Sequence, residues 1–318
     1  AARDVKARFA REVVHEFVND AALPFAVRGV GREHLACARL GAEPPRGGRV
    51  GGRWCRPFEL RREVVRERIL PEVGDWFEQG ILPREVFTEL GQLGLMGAHL
   101  EGYGCAGVSS VAYGLICQEL EYGDSGLRSA VSVQGSLAMF AIWRWGSEEQ
   151  KQKYLPRMAA GELIGCFGLT EPDAGSGPGG MTTRARKVDG GYVISGAKTW
   201  ISNAGVASYY IVFATVAPGT RSKGITAFIV EEGDEGFEVG SKLHKLGQRA
   251  IPTHEIFFND VFLPEDRRIG DEGMGFKGLM RKFDESRVVL AAGEVGIGRA
   301  RHATPRRRDE SRREQSRE

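Results

Sequence analysis

The stretch Cys166-Phe167-Gly168-Leu169-Thr170-Glu171-Pro172-Asp173-Ala174-Gly175-Ser176 carries the residue types best suited to chemistry in this chain. Leu169 and Thr170 end an apolar run, and Pro172, Gly175 and Ser176 then force a turn with free backbone donors. Without Cβ atoms to block its amides, such a turn can approach an anionic or ring-shaped ligand closely. Trp200-Ile201-Ser202-Asn203 begins 24 residues after Ser176 and offers an indole and a hydroxyl. An ordinary β-edge turn is the alternative for the first stretch taken alone. Asp284 and Arg287 lie three apart on an expected helix, hence on one face, where a surface ion pair competes with a ligand role. Other chemistries find no support. The histidines at 15, 34, 99, 244, 254 and 302 have no metal-ligand spacing, and no Gly-x-Ser-x-Gly elbow occurs. A literal G-x-G-x-x-G at Gly273, Gly275 and Gly278 lacks the buried strand a dinucleotide fingerprint needs, because Pro264-Glu265-Asp266-Arg267-Arg268 precedes it. It reads as a loop entering a helix.

Three kinds of element must position these residues. Helices dominate from Phe58 to Gly161: Pro83 marks a helix start, followed by Val86, Leu90, Leu93 and Leu95 at mostly helical spacing. A second helix covers Tyr113 to Glu121 and is ended by Gly123-Asp124-Ser125-Gly126, and Ser147-Glu148-Glu149-Gln150 fits a capping box. After Gly161 the pattern turns to short β-rich runs: 192–194, 209–215, 225–231 and 255–262, separated by Gly or Pro clusters. That spacing predicts an antiparallel sandwich or barrel, not βαβ units. From Gly275 the helical period returns with Phe276, Leu279, Met280 and Phe283. The expected class is α+β: an N-terminal helical domain (58–163), a middle antiparallel β-sandwich or barrel domain (164–269), and only the first helix (270–300) of a C-terminal helical domain.

Composition narrows the field. The 318 residues suffice for two cores, and 42% apolar with 27% charged residues is ordinary for a globular protein. A formal charge of +2 gives no argument for nucleic acid. Five cysteines without C-x-x-C spacing read as reduced and intracellular, and no apolar run is long enough for a membrane span. Residues 3–18 have helical spacing, whereas 41–57 are Gly/Pro/Arg-rich, so 1–57 is expected to be atypical and partly disordered. The tail from Arg299 contains eight arginines and no large apolar residue, so 301–318 is also expected to be disordered. The interleaved acids argue against a nucleic-acid arm.

The pairing of the 166–176 turn with Trp200-Ile201-Ser202-Asn203 resembles the flavin-contacting segments of the acyl-CoA dehydrogenase family. The resemblance runs from about Phe58 to Ala300. It implies that FAD is contacted by Phe167, Leu169, Thr170, Gly175, Ser176, Trp200 and Ser202, with Ser176 also near the CoA thioester arm. The family usually has Thr where Ser202 stands and Asp where Gly177 stands. The first change keeps the hydroxyl; the second removes a carboxylate acceptor. Residues 102–134 resemble the glutaryl-CoA dehydrogenases, in which the residues matching Arg128, Ser129 and Glu121 bind the distal carboxylate. An Arg128 pairing with Asp124 or Glu121 at a helix end is the alternative. Residues 196–300 resemble straight-chain and medium-chain enzymes, in which the residues matching Asp284 and Arg287 line the CoA and acyl channel.

The implied reaction is FAD-dependent α,β-dehydrogenation of an acyl-CoA, with oxidative decarboxylation of glutaryl-CoA or a non-catalytic remnant as alternatives. Implied partners are an electron-transfer flavoprotein and a homotetramer, with neither nucleic acid nor membrane. The implied location is the cytoplasm, or the mitochondrial matrix if the source is eukaryotic. In the two groups compared, the catalytic glutamate lies late in the C-terminal domain, so no residue here is nominated as the base. The abrupt switch at Ala300 to an arginine-rich tail is read as a frameshifted or fragmentary frame.

Overall fold

A computed structural model describes residues 64–315. The expectations for 1–57 lie outside the described residues. A π-helical segment, Val64–Ile69, leads into α1 (Val73–Gln79) and α2 (Arg84–Gln92). Pro83 stands immediately before α2, as its spacing predicts, and Val86, Phe87 and Leu90 form the buried face. α3 (Ser110–Gly123) and α4 (Ser125–Ser132) meet at a one-residue corner. Asp124 makes that corner: its carboxylate accepts from the Leu127 N–H at 2.8 Å and caps α4. The Gly123-Asp124-Ser125-Gly126 run therefore ends α3, as expected, and starts α4 with no loop between them. A second π-helical segment, Val133–Met139, continues into α5 (Phe140–Trp145). α6 (Glu148–Ala159) opens with the expected capping box: Ser147 Oγ accepts from Gln150 N and Gln150 Oε1 from Ser147 N.

The β part holds β1 (Gly165–Gly168), β2 (Arg184–Val188), β3 (Gly191–Ser202), β4 (Tyr209–Thr215), β5 (Ile225–Glu231), β6 (Phe237–Lys242), β7 (Thr253–Pro264) and β8 (Arg268–Ile269). Its order is β6-β7-β3-β2-β4-β5-β8, with β1 added to β4. The expected antiparallel pairing holds for β2–β3, β3–β7, β4–β5, β5–β8 and β6–β7 but not at β4's other edge. β1 and β2 both run parallel to β4, β1 along Tyr209–Val212 and β2 at Thr215. The long 169–183 connection is what lets two successive strands reach the same edge of β4 in the same direction. β2 and β6 escaped sequence reading because their exposed charges, such as Arg184, Arg186 and Lys187, hide the alternation.

α7 spans Gly275–Gln315. It passes through 301–315, the stretch expected to be disordered. Arg, Glu, Ala and Gln are strong helix formers. The helix packs against α3, where Arg299 donates to Glu119 Oε1 at 2.7 Å. The glycines at 273, 275 and 278 pack this entry. Gly273 N–H donates to Thr226 Oγ1 at 2.9 Å, and a Cβ on Gly278 would meet the Trp145 indole at 3.0 Å. Their small size lets the loop and helix close on β5 and Trp145.

Candidate functional site

The motif turn is built on a buried ion pair. Lys198 on β3 is 0% exposed and Glu171 is 3% exposed. Lys198 Nζ donates to Glu171 Oε1 at 2.8 Å and to the Leu169 carbonyl at 3.2 Å. Glu171 also accepts from Thr183 N at 2.9 Å and from Thr182 N and Oγ1 at 2.6 and 2.9 Å. Burial alone would raise this carboxyl, but Lys198 and the N–H and O–H donors hold it down at about 2. Burial pushes Lys198 down to about 8 against the pull of Glu171, so both groups are charged at neutral pH. Reciprocal bonds between Glu171 and Ala174, at 3.2 and 3.1 Å, close the turn.

This scaffold brings the two motif segments together. Thr199 N–H donates to the Thr170 carbonyl at 2.9 Å, so the strand carrying Trp200 is stitched to Leu169-Thr170. β3 then gains one residue against β7 between Lys198 and Ile201, a bulge. Trp200 sits in it at φ 60° and is 58% exposed. A left-handed tryptophan is a strained conformation, held here by the paired strands on either side. The bulge turns a large flat ring out of the sheet and leaves it uncovered. Ser202 pairs with Thr253 at the end of β3. Next to it, buried Asn203 donates to the Ala130 and Gly165 carbonyls at 3.1 and 3.3 Å and docks the site on the helices. Gln134 does the same from the helical side: it donates to Met158 O and Leu163 O and accepts from Gly165 N at 2.6 Å.

Gly175 and Ser176 are exposed at the tip of the turn. A Cβ on Gly175 would meet no atom within 4 Å and its φ is not left-handed, so nothing in the chain requires glycine there. Open space before bare backbone amides, beside an uncovered indole, fits a flat ring with an anionic tail. Phe167 is placed differently: its ring packs on Phe213 at 4.9 Å and lines a separate cleft toward the helices.

The residues matched to substrate contacts fall into two groups. Glu121 and Arg128 form a buried ion pair, Arg128 Nε to Glu121 Oε2, and Arg128 also donates to Ser132 Oγ at 3.1 Å. Ser129 Oγ donates to Gln248 Oε1 at 3.1 Å. Gly293 and Gly296 of α7 lie against this pair, where a Cβ on Gly293 would come within 3.2 Å of Glu121 Oε2. Asp284 and Arg287 instead make an exposed contact of 3.7 Å on α7, the surface pair their spacing also allowed. Sequence reasoning did not single out Lys198, Gln134 or Asn203 as functional. Only the position of Asn203 directly after Ser202 and of Glu171 inside the turn could have drawn attention to them.

This combination defines a helical and β-sheet scaffold whose sheet carries the motif turn and the exposed Trp200. Residues 59–162 match the N-terminal domain of acyl-CoA dehydrogenases and residues 166–261 the middle domain. The chain is 31% identical to an acyl-CoA dehydrogenase structure from Geobacillus kaustophilus, TM-score 0.73, covering 81% of this chain and 68% of that one. It is 45% identical to a glutaryl-CoA dehydrogenase from Mycobacterium smegmatis solved with FADH2, TM-score 0.72, covering 77% and 62%. It is 38% identical over 248 residues to a short-chain-specific acyl-CoA dehydrogenase from Megasphaera elsdenii, covering 76% of this chain and 65% of that protein. The chain belongs to the acyl-CoA dehydrogenase family. It spans slightly under two thirds of the Mycobacterium and Megasphaera relatives.

Proposed function

We propose that this chain forms the flavin-facing part of a FAD-dependent acyl-CoA dehydrogenase. The observation that carries the reading is Trp200, held left-handed and uncovered beside the stitched Leu169-Thr170 turn. Trp200 and Ser202 would hold the isoalloxazine. Leu169, Thr170, Gly175 and Ser176 would line its approach with backbone donors, and Ser176 would also reach the thioester arm. Bound there, FAD would accept a hydride from the β-carbon of the acyl chain. The chain's own part is to orient the ring and exclude water, with Lys198 and Glu171 keeping the turn rigid. None of its residues is assigned as the base that removes the α-proton. Electron-transfer flavoprotein as acceptor, homotetrameric assembly and a cytoplasmic location belong to the same reading. No helix among the described residues is long and apolar enough to cross a membrane, and Cys105, Cys117 and Cys166 are free thiols.

The substrate we favour is a short-chain acyl-CoA, with Asp284 and Arg287 along the CoA channel. A chain ending in a carboxylate, as in glutaryl-CoA, is the second reading. Its support is the buried Arg128 guanidinium, which engages Glu121 and Ser132 through Nε and one terminal nitrogen and keeps the other terminal nitrogen for a ligand. The test is reconstitution with FAD followed by an anaerobic visible spectrum. Retained flavin that quenches Trp200 emission, lost in Trp200→Leu, supports the site; a chain that retains none sinks it. Bleaching by butyryl-CoA or by glutaryl-CoA then separates the substrates.

A further inference from the structure

A cavity of about 490 Å³ lies between α5, the helix-facing side of the sheet and the first turns of α7. That size suits a small organic ligand. Its walls carry four aromatic side chains: Phe140 and Trp145 from α5, Phe167 from β1 and Phe213 from β4. Three cations of α7 also line it, Lys277, Arg281 and Lys282, against one carboxylate, the exposed Asp271. Lys277 and Arg281 are exposed at the rim, whereas Lys282 is only 7% exposed.

Lys282 is the unusual member. Its ammonium lies 3.9 Å from the centre of the Phe140 ring. Among the described residues the nearest carboxylate is that of Glu285, also at 3.9 Å, and that side chain is 53% exposed. No oxygen of a described residue lies within hydrogen-bonding distance of its Nζ. His99, tilted against Tyr113 at 4.3 Å and stacked on Phe140 at 6.4 Å, offers no help, because its ring nitrogens are buried without partners among the described residues. The other buried lysine, Lys198, has a carboxylate at 2.8 Å and a carbonyl at 3.2 Å. A largely buried lysine whose ammonium opens on the cavity with a ring face and no close protein acceptor is incompletely solvated by the protein, and an anion entering the cavity would complete it.

We propose that this cleft binds a small carboxylate with a flat apolar body, its carboxylate on the Lys282 ammonium and its body among Phe140, Trp145, Phe167 and Phe213. A monoanion fits better than a phosphate: Lys282 is the one buried cation among the described residues lining the cavity, while Lys277 and Arg281 are exposed at its rim. The depressed pKa of Lys282, lowered by burial to about 8, leaves it charged at neutral pH and short of compensation. The proposal does not rest on flavin binding: it uses neither Trp200 nor the 169–176 turn, and of the motif stretch only Phe167 lines the cavity.

The probe is 1-naphthoate, titrated into the full chain by fluorescence, with 1-naphthamide as the neutral molecule of the same shape. Saturable one-to-one binding of naphthoate is expected, at least tenfold tighter than naphthamide. Lys282→Met should bring naphthoate down to the naphthamide level and leave naphthamide unchanged. A wild-type protein that binds both equally, or neither, overturns the proposal, and so does unchanged naphthoate affinity in a folded Lys282→Met. If that variant loses its thermal transition, the wild-type ratio of the two ligands decides alone.

Discussion

Two buried ion pairs, Lys198–Glu171 beneath the motif turn and Arg128–Glu121 beneath α7, differ in how completely their polar groups are used. In the first, both carboxylate oxygens and the ammonium are engaged, by Thr182, Thr183 and the Leu169 carbonyl. In the second, the guanidinium has donors to spare, and its cover is a helix crossing that depends on glycine. A saturated pair fixes backbone; an unsaturated one has donors left that can serve a ligand. The same logic separates Lys198 from Lys282. How many of its hydrogen bonds a buried charge has made within the chain distinguishes scaffold from site better than its burial does.

The sharpest way to break this comparison is Lys198→Met. It leaves Glu171 buried and unpaired, which should cost about 3–5 kcal/mol in urea unfolding. Adding Glu171→Gln should recover much of that loss while still loosening FAD. A single variant losing less than about 1 kcal/mol would show that the pair does not hold the turn.

Next in size is the glycine crossing. A Cβ on Gly296 would collide with the Gln118 carbonyl, whereas one on Gly298 would meet nothing within 4 Å. Gly296→Ala should destabilise by about 1–3 kcal/mol. Gly298→Ala, on the open side of the same helix, should stabilise by about 0.5–1 kcal/mol. Equal effects from the two would mean that α7 does not seat on α3 as described.

Acid separates the same regions through two depressed groups. Glu171 falls from 4.5 to about 2, so its contribution is complete above pH 4.5 and lost as pH falls through 2. His99 falls from 6.5 to about 3, by burial first and then by Lys282. The unfolded chain takes up that proton first, so His99 erodes stability as pH drops from 6.5 toward 3. His99→Leu should flatten unfolding curves in the upper window, and Glu171→Gln in the lower, each by about 1–3 kcal/mol. A slope unchanged in either variant would reassign the group responsible.

What could be read beforehand follows from how local each signal is. The capping box at Ser147 and the hydrophobic runs at 209–215 and 225–231 are contiguous, and they appear where their residues place them. The parallel addition of β1 and β2 to β4 depends on a connection whose path no periodicity encodes. The two segments of the candidate site were legible as a turn plus a tryptophan. Its support was not, because Lys198 and Glu171 lie 27 apart, and a lysine in a strand ordinarily reads as solvated. The tail shows the opposite error: composition argued for disorder while individual propensities favoured helix, and helix prevailed through Gln315.

The smallest effect belongs to Asp284 and Arg287, whose contact of 3.7 Å is exposed on both sides. An exposed i,i+3 pair holds two mobile side chains in high dielectric, so Arg287→Ala should change stability by less than about 0.5 kcal/mol. That near-silence makes the variant informative about ligands. If the pair lines a CoA channel, Arg287→Ala should raise the Kd for a CoA thioester several-fold at unchanged melting temperature, and added salt should shrink the difference. If Kd holds while stability is untouched, the pair is surface alone, and recognition of the thioester arm rests with Ser176.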